Sequence, residues 1–326
     1  KLSAEPAARR HHEPNPAAHE AYLKSRYHWM KLTPESMERS RQYLEQAISL
    51  DPEYALAYCG YADHFLALAE AEYLPAHEAM PMVREYAAKA LERDPALPEA
   101  HAMLGIVAAL YDYDWKEAER SFRLAMDRDP VPARVYQWYG GWYASIADPA
   151  HRVELSEKGL RNDPLSITAR VQLAWVLMTA GRMEDANAEA LRVLEFDAGE
   201  IWACWIAAYC HWRQENWKEA LRFAEKAYPP VPFIIGTIAG LLQRTGEIER
   251  GEELLQKLMP GEAYGAPLGL ALFCLIRGER DKAADWLAKA IMQRIPDAPH
   301  YANILFRSNS RWPELAKMMN LPEGVR

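Results

Sequence analysis

Aspartate-proline pairs recur along the chain at Asp51-Pro52, Asp94-Pro95, Asp129-Pro130 and Asp163-Pro164, the last two intervals being 35 and 34 residues. In phase with them stands Asp197-Ala198, where the aspartate remains without its proline. Proline cannot continue a helix, so each pair ends one helix and begins a turn. A fixed period of this length marks a stack of supersecondary units, each packed on its neighbours, rather than one globular core.

Three further markers keep the same phase. Small residues recur in the first helix of each unit at Gly60, Gly105, Gly140, Ala174, Ala208, Ala239 and Ala271. A second set, near the start of the second helix, reads Ala118, Arg152, Ala186, Ala220, Gly251 and Ala283. A third, near its end, reads Ala47, Ala90, Ala125, Gly159, Val193, Ala227, Leu258 and Ala290. Helices that cross closely need small side chains where their backbones approach. Gly181, Gly246 and Gly278 fall between paired helices, where a C-cap favours a left-handed residue.

Four markers in phase match the helix-turn-helix pattern of tetratricopeptide repeats. The expected fold is therefore all-α, a right-handed α-α superhelix of about eight repeats with a C-terminal helical cap. Residues 1–14 read as a linker, 15–295 as the repeat array and 296–326 as the capping segment. Extra residues at Lys31 to Glu35, and about eleven at Ala69 to Pro81, are expected to lengthen or loop out turns.

From Asn15 onward the chain also resembles the repeat regions found downstream of effector domains in bacterial regulators. These are CadC-like winged-helix transcriptional regulators, class III adenylate cyclases and serine/threonine kinases. The likeness rests on Tyr22, Leu23, Lys24, Arg26, Tyr27 and Trp29, with Ser25 in place of the family's glycine. Tyr111, Asp112, Asp114 and Trp115 add to it, as does the closing stretch from Leu305 to Pro322, where Asn309-Ser310 replaces the aspartate-proline pair. The resemblance implies a sensory or docking region of a transcriptional or signalling regulator. The alternatives are the non-catalytic region of a cyclase or kinase, and a free-standing assembly scaffold. A chain that begins at Lys1 reads as part of a longer protein.

Little points to chemistry. No nucleophile elbow, phosphate-binding glycine loop or dinucleotide fingerprint occurs, and no enzyme activity or cofactor is expected. His19-Glu20 and His77-Glu78 open like zinc-protease helices, but Leu23 and Pro81 stand where the second histidine belongs. His11-His12-Glu13 reads as solvated linker, and most carboxylates read as solvated outer faces. The net charge is −8 and no basic block extends beyond Arg9-Arg10, so no direct nucleic-acid contact is expected. No apolar run approaches the roughly 18–20 residues of a membrane span. Cys59, Cys204, Cys210 and Cys274 form no C-x-x-C pair and read as buried thiols, which favours a cytoplasmic setting, or a periplasmic one if a span precedes the chain.

The aromatic residues carry the binding expectation. In a tetratricopeptide array the first helices line the concave face. Trp202, Trp205, Tyr209 and Trp212 take the inward positions of the sixth unit, Trp175 and Met178 join them from the fifth, and Arg213 sits at the rim. The fourth unit adds Tyr136, Trp138, Tyr139, Trp142 and Tyr143. Two readings remain open, rings filling gaps between repeats and rings lining a groove. The groove reading expects a protein or peptide partner on the concave face. Tyr22, Ala57, Ala102 and Val171 hold the positions where a carboxylate clamp would need Lys and Asn, so an acidic peptide terminus is not the expected ligand.

Overall fold

A computed structural model describes residues 12–323, except 129, 145, 147–150 and 228–229, and the side chains of Trp142 and Ala144. Residues 1–11 and 324–326, including most of the expected linker, lie outside the described residues, as does Asp129 of the third aspartate-proline pair.

Among the described residues eight antiparallel helix pairs follow one another. The first four are α1 (Pro16–Trp29) with α2 (Pro34–Leu50), α3 (Ala55–Glu70) with α4 (Ala76–Arg93), α5 (Pro98–Val107) with α6 (Trp115–Met126), and α7 (Ala133–Trp138) with α8 (Arg152–Asn162). The next two are α9 (Ile167–Thr179) with α10 (Met183–Leu194) and α11 (Ile201–Arg213) with α12 (Trp217–Ala224). The last two are α13 (Pro232–Thr245) with α14 (Ile248–Gln256) and α15 (Ala266–Ile276) with α16 (Arg280–Met292). Two shorter helices, α17 (Ala298–Phe306) and α18 (Trp312–Met318), close the chain.

The markers do the work that their spacing implies. Asp51, Asp94 and Asp163 each cap the C-terminus of a second helix. At Asp51, Asp94 and Asp197 the carboxylate accepts a hydrogen bond from the backbone N–H two residues on, of Glu53, Ala96 and Gly199. This Asx geometry uses the aspartate alone, which explains why Asp197 persists without proline. Asn309 repeats it in the tail, accepting from the Arg311 N–H at 2.8 Å. The small residues lie at the crossings. A Cβ on Gly105 would meet the Phe122 ring at 2.9 Å, and one on Gly140 would meet Ser156 Oγ at 2.6 Å. Gly246 ends α13 in the left-handed region, at φ 94°.

Two features differ from the sequence expectation. The long insertion of the second unit is not a loop. It lengthens α3 to 16 residues and α4 to 18, leaves a short turn at 71–75, and takes Pro81 into α4. Burial of Ala76, Ala79, Met80 and Val83 holds that helix in spite of the proline. In addition, α5 and α7 run on into π-helical turns, Ala108–Asp112 and Tyr139–Ala144. Such turns are rare and admit one extra residue per turn.

The four cysteines are free and buried, and burial pushes the thiols up, Cys204 and Cys210 to about 12 and Cys274 to about 11. His12, read as solvated linker, instead meets the capping carboxylate of Asp51 at 2.8 Å.

Candidate functional site: a cavity closed by the C-terminal helices

The superhelix closes on itself. Trp115 Nε1 donates to Met319 O at 2.9 Å, Asn320 Nδ2 to Tyr113 O at 3.1 Å, and Tyr264 Oη to Ala69 O at 3.4 Å. Each bond joins the last units or the tail to the second and third. Within this ring α17 lies on the concave face. Its Tyr301 is fully buried and meets three rings, Trp175 at 5.8 Å, Trp205 at 5.1 Å and Phe233 at 6.4 Å between centroids.

That arrangement corrects the expectation of an open aromatic trough. Trp205 is 0% exposed, Tyr209 2% and Trp212 8%. Trp175 and Met178 are buried as well. The space in front of Trp175 and Trp205 belongs to the chain's own tail. Trp205 Nε1 is satisfied by Thr237 Oγ1 at 3.3 Å. Arg213 stays exposed and lies over the Tyr209 ring at 5.9 Å. Only Trp202 is half-buried, stacked on Phe233 at 5.1 Å and 13°. Trp138 and Tyr143 are core residues, and the Trp142 side chain lies outside the described residues.

Beside α17 a cavity of about 250 Å³ remains. Its walls carry Trp29, Trp138, Trp175 and Trp202, and exposed Tyr27, Met30 and Lys31 stand at its mouth. Fully buried Asp297, the residue before α17, lines it together with Glu70 at the end of α3. Thus two of the expected site residues, Trp175 and Trp202, do border an interior space.

Besides Lys31, Asp197 and Glu200, which also line it, the charges of this cavity fall into two groups. Asp63 accepts from Arg26 at 2.6 Å and from Arg134 at 2.9 Å and 3.1 Å. Burial alone would raise its carboxyl, but the two guanidinium groups outweigh that and hold it below the ordinary carboxylate value. Arg134 is sandwiched between Trp29 at 4.6 Å and Trp138 at 4.8 Å. The second group has no ion pair among the described residues. Asp297 is pushed up to about 8 by burial, and Glu70 is raised by burial and by the charges of Asp297 and Asp63, which outweigh the opposing charge of Arg134. Glu72, just outside the lining, is raised to about 8 for the same two reasons, although the Phe233 N–H donates to it at 3.2 Å. Oδ1 of Asp297 and Oε1 of Glu70 are buried with no hydrogen-bond partner among the described residues.

Sequence reasoning missed these carboxylates by assigning such residues to solvated faces. A signal existed for α3, because Asp63 and Glu70 stand seven apart in an otherwise apolar helix and so share one face. Nothing local marks Asp297, which reaches the cavity only because α17 docks.

Stacked helix pairs with small residues at their crossings define a tetratricopeptide-type α-α solenoid. Solved structures of that kind align with it: the human IFIT1 dimer with m7Gppp-AAAA has a TM-score of 0.61 and 15% identity, over 92% of this chain and 71% of that one. Yeast Tom70 has a TM-score of 0.51 and 16% identity, over 98% of this chain and 66% of that one. No protein-family model matches the chain. In sequence it is similar to the transcriptional regulator HilA of Salmonella typhimurium, 24% identical over 166 residues. HilA of Salmonella paratyphi A gives the same identity over the same length. The match takes in 51% of this chain but spans only 30% of the length of these relatives.

Proposed function

We propose that the chain is a non-catalytic binding module that serves as the sensory region of a bacterial transcriptional regulator. The observation that carries this reading is the cavity beside α17. In front of Trp175, Trp205 and Phe233 the concave face is occupied by α17, and the space left beside it, about 250 Å³, is of a size for a small ligand. The likeness to HilA supports the regulatory setting. In this reading residues 1–14 tether the module to an effector domain, 15–295 form the array and 296–326 close it. Contact with DNA then falls to another segment. No helix among the described residues is long and apolar enough to cross a membrane, and four free buried thiols suit a reducing, cytoplasmic compartment.

The reading frame upstream of Lys1 tests the proposal. A winged-helix domain is the expected result. A nucleotidyl cyclase or kinase signature, or an immediate start codon, would overturn the regulator assignment.

A further inference from the structure

Resting on the reading of this chain as a sensory module, we propose that the cavity binds a small organic cation, an ammonium group carried on an apolar body, with Asp297 and Glu70 as its counter-ions and tryptophans as its walls.

Three observations point the same way. Tryptophan rings attract cations, most strongly where water is excluded, and Trp175 and Trp202 border this space; Trp138 beside them already carries the Arg134 guanidinium at 4.8 Å, and one face of Trp202 lies on Phe233. Arg26 and Arg134 both bond to Asp63, and no hydrogen bond or ion pair among the described residues joins either of them to Asp297 or Glu70, although the Arg134 charge acts on Glu70. A buried carboxylate without a counter-ion is costly, and a protein relieves that cost by taking up either a proton or a ligand cation. Finally, Asp297 Oδ1 and Glu70 Oε1 are buried acceptors lining the cavity without partners. An ammonium group offers three donors to such acceptors.

Other occupants fit less well. An anion would meet the unpaired carboxylates. A metal ion needs a convergent set of ligands, and no group of three or more His, Cys, Asp or Glu side chains among the described residues could hold one. The space of about 250 Å³ suits one small ligand or a single side chain better than a stretch of peptide.

A matched series of probes tests the assignment by calorimetry on the whole chain: benzylammonium, benzyl alcohol and benzoate. Saturable binding is expected for benzylammonium, at least tenfold tighter than for the alcohol, and none for benzoate. Asp297→Asn and Glu70→Gln should each weaken benzylammonium by tenfold or more. Neither should lower the melting temperature of the free protein, because each removes an unpaired acid. No binding of benzylammonium up to about 10 mM would overturn the proposal. So would alcohol or benzoate binding that equals it, or wild-type affinity in Asp297→Asn. Binding of the alcohol alone would sink the cation and leave a small-ligand sensor standing. A kinase or cyclase upstream would sink the regulator reading and leave the cation site intact.

Discussion

The phenol ring of Tyr301 stands edge-on to the indole of Trp205, their centroids 5.1 Å apart and their planes at 89°. Tyr301 belongs to the tail and Trp205 to the sixth repeat, so this contact ties the end of the chain to the middle of the array. Edge-to-face geometry sets the positive rim of one ring against the negative face of the other. The pair turns what would be an open binding face into an interior.

Removing the ring should therefore act on the whole fold. Tyr301→Ala is expected to cost about 3–5 kcal/mol, the usual range for deleting a buried aromatic side chain. Tyr301→Phe separates ring from hydroxyl. The Tyr301 hydroxyl is buried without a partner among the described residues, so Phe should be neutral or stabilising by up to about 1–3 kcal/mol. Urea unfolding of both variants checks this. A marked loss in Tyr301→Phe would mean that the hydroxyl does have a partner.

Trp205→Ala separates a core role from a docking role. Because Trp205 is fully buried, the variant should melt earlier by the equivalent of about 3–5 kcal/mol. An unchanged melting curve would return Trp205 to an exposed trough and contradict the closed structure.

The closest approach of two helices gives a third prediction. A Cβ on Gly236 of α13 would lie 1.9 Å from Gly269 O of α15, and a Cβ on Gly269 would lie 2.4 Å from Pro232 O. Backbone cannot yield as a side chain can, so Gly236→Ala should destabilise by about 1–3 kcal/mol or more. Thermal denaturation showing no shift would misplace the α13–α15 crossing.

Much of this fold was legible because its signals are local and repeat. Asp51, Asp94 and Asp163 announce helix ends, and Gly105, Ala174 and Ala208 announce crossings. Gly236 and Gly269 are a limit case, since the phase pointed to Ala239 and Ala271, which are also buried, and not to the two glycines whose backbones meet. Pro75 and Pro81 suggested a loop, whereas burial of neighbouring side chains carries α4 through Pro81. The site was least legible. Periodicity placed Trp205 and Tyr209 inward, but it holds no information on what covers them. That depends on α17 meeting helices some 100 residues earlier in the chain, a contact without a periodic signature.

The buried acids give a pH dependence. Asp297 and Glu72 are held up at about 8, while unfolded carboxyls titrate near 4. Between those values the native chain keeps protons that the unfolded chain has released, so stability falls as pH rises from about 4 to about 8 and levels off above. Glu70 and Glu99, raised chiefly by burial, act in the same direction. Asp63 and Asp51 are held low, and their contributions are lost only as pH falls below about 4. The urea midpoint should be higher at pH 6 than at pH 8, and Asp297→Asn should narrow that gap. A midpoint that rises between pH 6 and pH 8 would show that these acids are not buried together.

Hydrogen exchange tests most directly whether the chain's own tail fills its concave face. Amides of α17 from Tyr301 onward, and those of α11 around Trp205, should exchange slowly, with protection approaching that of global unfolding. They should also lose protection together in Tyr301→Ala. Fast exchange across α17, beside a protected α11 that the variant leaves unchanged, would contradict the account and reopen the aromatic face to a partner.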